Sequence, residues 1–176
     1  ERVEDLDLHH RWGLDSEEAQ RLALECEAAG LGHDKRITNS EGASVSSMEA
    51  CRAYGNSHGF VGSYCASRHG MSAALIASDD EHGMQRDFWY SVSRVPGELE
   101  AGAAIGRRAA ERAVSRLGAR PVATARVPVL FAAEIAVGLI GQLVAAISGG
   151  SVYRRASFLC EAIGEQVLPE RITVSE

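Results

Sequence analysis

With 176 residues, 45% of them hydrophobic and 24% charged, the chain has the composition of one ordinary folded domain or pieces of two, not of a disordered tract. A net charge of −6 excludes a general nucleic-acid binder, because neutralising phosphates takes an excess of Lys and Arg. The charge is also uneven: residues 1–94 carry 16 acids against 9 bases and residues 95–176 carry 8 against 9, a shift that fits a change of unit near the middle.

The first residue is Glu1, and the chain stops just after a strand-like Arg171-Ile172-Thr173-Val174, so an internal piece of a longer protein is expected. Cys26, Cys51, Cys65 and Cys160 lie far apart with no Cys-x-x-Cys pairing. A chain this rich in apolar residues has no need of bridges, so reduced, mostly buried thiols in a cytoplasmic protein are expected.

The first predicted element is a helix opened by Asp15 as N-cap. Glu18 stands at the third helical position, Leu14 is placed to staple onto Ala19, and Gly30 and Gly32 mark the end. Ala19, Leu22, Ala23 and Cys26 recur at helical spacing between them.

From Asp34 to Val95 short apolar runs alternate with Gly, Ser, Asn and Asp clusters at 39–42, 55–59, 68–70 and 78–83. Turn signals every ten to fourteen residues predict an antiparallel meander and exclude a βαβ repeat. Within it, alternation puts Phe88, Tyr90 and Val92 on one side of a strand.

Pro96 begins a second long helix with Leu99, Ala103, Ala110, Val114 and Leu117 as its apolar stripe, ended by Gly118. Arg108, Arg112 and Arg116 form a basic row read as a solvated face. A linker follows over 119–126. The 21 residues from Val127 to Ile147 carry one charge, Glu134. They could span a bilayer by length, but Pro128, Glu134, Gln142 and the lack of flanking anchors argue for a buried strand (127–131) and a core helix (133–147). Ser148-Gly149-Gly150-Ser151 is predicted to be a loop leaving that helix.

The residues by themselves carry no recognisable chemistry. There is no Gly-x-Ser-x-Gly elbow and no Ser-x-x-Lys. Cys65 lies near His58 and His69, but no third group orients a nucleophile pair. Cys51, His58, Cys65 and His69 are spaced seven, seven and four apart, which matches no compact zinc motif. His9-His10 reads as a solvated turn. Asp79-Asp80-Glu81 before Gly83 lacks the alternating oxygens of a calcium loop, and Gly138-Leu139-Ile140-Gly141 has no Lys-Ser/Thr after it. The fold class from these signals is α+β.

Four segments, in order along the chain, resemble the PmbA (TldE) branch of the TldD/PmbA metalloprotease ("modulator of DNA gyrase") family: residues 34–42, 54–60, 84–90 and 145–154. The resemblance implies that residues 1–122 are the later part of an N-terminal α/β domain. Residues 123–176 would then begin a β-rich C-terminal domain with a strand, an apolar helix and a Gly-rich loop.

TldD members of the family carry a His-Glu-x-x-x-His zinc motif on a helix, followed by Gly-Leu-x-Gly, with the Glu as general base on zinc-bound water. Here Gly138-Leu139-Ile140-Gly141 keeps the second part, while the three motif positions fall on Ala132, Ala133 and Val137. No His follows His82. The resemblance therefore implies a chain with no catalytic residue and no metal of its own. Its zinc would reside in a TldD-like heterodimer partner acting on unfolded peptides in the cytoplasm, with roles in peptide maturation and antitoxin turnover. Gly149, Gly150 and Ser151 are the candidate peptide-binding residues, by strand addition. The alternative is an independently active metallopeptidase whose ligands lie outside the motif. Nucleic acid and membrane are not expected as partners.

Overall fold

Asp15 caps the first helix as its side chain suggests: Oδ1 accepts the Glu18 backbone N–H at 2.8 Å. In the computed structural model, which describes residues 5–174, that helix is α1, Ser16–Leu31, with Gly32 as its C-cap. Gly30 lies inside it, fully buried, where the sequence suggested an end.

Three antiparallel strands follow in the order β1-β2-β3: β1 Ile37–Gly55, β2 Val61–Asp79 and β3 Gly83–Ser93. The meander is thus built from fewer and longer strands than its turn signals predicted. Only the clusters at 55–59 and 78–83 turn the chain. Asn39-Ser40-Glu41-Gly42 is absorbed as a pair of register irregularities in β1, and Arg68-His69-Gly70 runs straight through β2. Gly42, at φ +106°, allows the bulge because it has no side chain to clash there.

Because β3 pairs only with His69–Asp79, the far half of the β1–β2 hairpin continues beyond the three-stranded sheet as a two-stranded arm. Cys51 pairs with Cys65 in this arm, and the two form a disulfide with Cα atoms 3.9 Å apart. This corrects the expectation of four reduced thiols: the hairpin turn is centred near His58, seven residues from each, so the register brings them face to face. Cys26 and Cys160 remain free thiols.

Pro96 starts a short 3₁₀ turn, Pro96–Glu98, and the second helix proper begins later, as α2, Gly102–Ser115. Its buried stripe is Ile105, Gly106, Ala109, Ala110 and Ala113, turned relative to the predicted stripe that included Leu99 and Ala103. The helices cover one face of the sheet. Met71, Ala73, Leu75 and Ala77 of β2 point into them and complete a core with Cys26, Ile37, Ile105 and the three alanines of α2. The small α2 residues let the helices touch closely: a Cβ on Gly106 would overlap the Cys26 carbonyl oxygen, and one on Gly30 would meet Leu75 and the Gly106 carbonyl. Phe88, Tyr90 and Val92 share the opposite, exposed face, as their alternation predicted.

The chain divides into two units, residues 1–122 and 123–176. In the second, Val127–Phe131 is not a strand: no neighbouring segment among the described residues supplies the ladder partner a strand needs. Arg171–Val174 is likewise irregular. The apolar helix forms where expected, as α3, Ala133–Ile147, yet none of its residues is buried, so it is not a core helix within this chain. Ser148 breaks it, and Gly149–Tyr153 forms a further short helix, α4, where a loop was predicted. The Ser148 carbonyl accepts from Ser151 and Val152, and its hydroxyl donates to the Ser151 hydroxyl, which is enough to start a turn.

Candidate functional site

The three residues that the resemblance sets at the motif positions, Ala132, Ala133 and Val137, fall at the start of α3. Ala132 is its N-cap, with φ −59° and ψ 147°, and its carbonyl accepts from Ile135 and Ala136. Ala133 opens the helix and Val137 lies one turn on, 71% exposed. Ligands five residues apart on a regular helix would point about 140° apart, given about 3.6 residues per turn. An N-cap residue with extended backbone escapes that geometry, so the irregularity a five-residue spacing needs is present at position 132. The donors are not. A methyl, a methyl and an isopropyl group hold no zinc, and the residues present do not fit the metal. Among the described residues no group of three His, Cys, Asp or Glu side chains is placed to bind one.

The other candidates are accounted for by structural roles. Cys51 and Cys65 are bonded to each other, and His58 sits in the hairpin turn. His69 is fully buried: Nε2 donates to the His10 carbonyl at 2.7 Å, Nδ1 lies 3.0 Å from the Ser47 hydroxyl, and the ring meets Trp12 edge-on at 5.4 Å. Ser67 beside it takes the His10 N–H and donates to backbone carbonyls of Leu8 and Arg94. Together they fasten the segment before α1 to the sheet. His9 stays exposed, as the solvated reading had it, and pairs with Glu49 at 2.9 Å.

Asp79 closes the β2–β3 turn by accepting the backbone N–H groups of Glu81 and His82. Those bonds, the His82 one foremost, hold its carboxyl below the usual range. Asp34 is held far lower by the two-pronged Arg36 guanidinium at 2.7 and 3.0 Å. Burial pushes the Cys26 thiol up to about 11. It is an inert core group.

Sequence reasoning missed the cluster on the inner face of β3. The basic row of α2 reaches over it while Arg108 and Arg116 stay exposed: Arg108 stacks 3.8 Å over the Trp89 ring, and Arg112 and Arg116 flank Asp87 at 3.5 and 3.4 Å. Burial alone would raise the Asp87 carboxyl. The Phe88 N–H and the two arginines outweigh that and lower it. The alternation Asp87-x-Trp89 on a face that must meet a helix was the available signal. Gly149, Gly150 and Ser151, the peptide-binding candidates, form the first turn of α4 and present no extended backbone for strand addition.

The PmbA/TldA metallopeptidase central-domain model matches residues 9–117, and the C-terminal-domain model of the same family matches 124–176. The chain belongs to the PmbA/TldD metallopeptidase family. It is 44% identical over 173 residues to metalloprotease PmbA of Escherichia coli O157:H7 and 41% identical over 172 residues to a PmbA homolog of Haemophilus influenzae. Each match covers 98% of this chain and 38% of the relative. The chain thus spans well under half the length of the curated relatives it matches.

Two solved structures share the fold. A Thermotoga maritima protein described as a modulator of a DNA gyrase superposes with a TM-score of 0.84 at 25% identity, covering 95% of this chain and 38% of that one. A Bacteroides thetaiotaomicron protein of like description gives 0.83 at 22% identity, covering 97% and 39%. The α+β class, with its three-stranded antiparallel sheet, is that of this family.

Proposed function

We propose that this chain comes from the PmbA (TldE)-type, non-catalytic subunit of a two-subunit metalloprotease, working beside a TldD-like subunit that supplies the zinc and the general base. The observation that carries this reading is the start of α3, where Ala132, Ala133 and Val137 stand at the positions that need two histidines and a glutamate. The kept Gly138-Leu139-Ile140-Gly141, directly after Val137 in α3, supports the register of that comparison. The substrate class is unfolded peptide, and the subunit's part is to hold it for a partner that cuts.

A cytoplasmic location belongs to the same proposal. No described helix is long and apolar enough to cross a membrane. A reducing compartment keeps thiols reduced, so there Cys51 and Cys65 would stand as two thiols.

The test is metal content and peptidase activity of the full-length protein, alone and mixed with a relative bearing His-Glu-x-x-x-His. Zinc below stoichiometry and no cleavage alone, with cleavage in the mixture, is the expected result. Stoichiometric zinc with activity in the isolated protein would establish the alternative, an independent metallopeptidase with ligands elsewhere.

A further inference from the structure

Strand addition, displaced from Gly149–Ser151 by the helical turn found there, has a better seat in the arm. Ser67 donates its N–H to the Leu8 carbonyl, away from β1. In an antiparallel ladder such outward-pointing residues recur every second position. Cys65 and Ser63 therefore also turn their N–H and C=O groups away from β1. The close approach of the Cys51 and Cys65 Cα atoms agrees, since pairs that exchange no hydrogen bonds are the closer ones, about 4.5 Å against about 5.5 Å. Where β3 would pair with them it has already ended, at Ser93 opposite His69. Among the described residues, no strand pairs with the edge of β2 over Val61–Ala66.

This edge lies in a trough. A cavity of about 940 Å³ runs between the arm and the segment Asp5–His9, and a second of about 410 Å³ continues it toward the hairpin turn. The two share Arg52, Ser63 and Tyr64. The outer part is apolar, with Tyr54, Phe60 and Tyr64 around it. The inner part carries Arg52, Arg68 and Arg94, all exposed and none ion-paired among the described residues, as well as Asp5 and Asp7. Asp5 accepts the Asp7 N–H, and Asp7 Oδ1 faces His10 at 3.7 Å. Three arginines against these two aspartates leave the lining positive on balance, in a protein whose net charge is negative.

We propose that the open edge of β2 takes an extended, acidic polypeptide segment. Its backbone pairs with Ser63 and Cys65, an apolar side chain sits among Tyr54, Phe60 and Tyr64, and its carboxylates meet Arg52, Arg68 and Arg94. This assigns a docking site and a preferred peptide chemistry, and it needs neither zinc nor the partner subunit.

The experiment is fluorescence anisotropy on the full-length protein. The probes are a labelled octapeptide alternating valine and glutamate behind one phenylalanine, and its lysine counterpart. The acidic peptide binds, and the basic one binds about tenfold more weakly or worse. Ser63→Pro removes an outward N–H that the hairpin does not use, at an edge position where proline is tolerated, so the fold is kept and binding weakens about tenfold. The double variant Arg52→Glu/Arg68→Glu, confined to exposed positions, abolishes the preference for the acidic peptide and decides the matter if Ser63→Pro fails to fold. No binding by the wild type, equal binding of both peptides, or an unchanged affinity in the folded variants overturns the proposal. A null result here leaves the partner-subunit reading intact, and peptidase activity of the isolated protein would end that reading without touching this site.

Discussion

Gly106 shows how much of this fold hangs on the absence of a side chain. Its Cα faces the Cys26 carbonyl so closely that any Cβ would overlap that oxygen, and on a helix the backbone cannot give way alone. Gly106→Ala should force α1 and α2 apart and cost about 3 kcal/mol or more, seen as a lower urea midpoint with little change in slope. Asp87 is the matching case for charge. Its side chain is 9% exposed between Arg112 and Arg116, and its folded-state pKa lies below the unfolded value. A depressed carboxylate contributes stability above its unfolded pKa of about 3.9 and loses it as pH falls through the folded value. Asp87→Asn should therefore destabilise by about 1–3 kcal/mol at pH 7. The gap in melting temperature between variant and wild type should shrink on acidification toward pH 3. A gap that stays constant would mean that packing, not charge, is what the substitution removes.

At the scale of elements, the β1–β2 arm is the part least legible in the sequence, and the reasons are physical. Turn signals are compositional, yet Ser, Gly and Asn also suit strands whose side chains bond across an exposed face. Ser44 and Ser72 meet at 2.9 Å, and Thr38 and Ser78 at 2.8 Å. Two of the clusters that read as turns, 39–42 and 68–70, lie within paired strands. The equal spacing of Cys51, His58 and Cys65 held the answer, because a turn at the middle residue of a hairpin makes the outer two partners. The thiols give the check. In native, unreduced protein only Cys160 should react promptly, since burial keeps Cys26 protonated at neutral pH. Two thiols should react after unfolding, and four after reduction as well. Replacing Cys51 and Cys65 by serine should speed amide exchange through residues 52–64, where the disulfide closes the loop, and leave 71–77 protected by β3 and the helices. Four thiols in the unreduced, unfolded chain would show the pair open.

For the whole molecule, legibility divided between local signals and burial. α1, the antiparallel sheet and α3 could be read from caps, alternation and apolar run length, which are local signals. The absence of any His after His82 is likewise plain in the sequence, while the positions a zinc motif would take come from the family resemblance. Burial is a different kind of fact: α3 has the most apolar sequence of the helices and no buried residue, whereas the ten buried hydrophobics among the described residues run from Cys26 to Ala113. An apolar helix becomes a core helix only when other elements cover it, and periodicity cannot say whether they do. The energetic consequence is uneven stability. A chain ending at Val122 keeps every one of those ten residues, the three-stranded sheet and both helices that cover it, and should unfold in a single cooperative transition. The piece 123–176 exposes Ile135, Val137, Leu139 and Val144 and should show weak helicity and concentration-dependent association. Thermal melts by circular dichroism and sedimentation of the two pieces check this. A cooperative melt of the second piece as a monomer would show that α3 finds its cover within those residues.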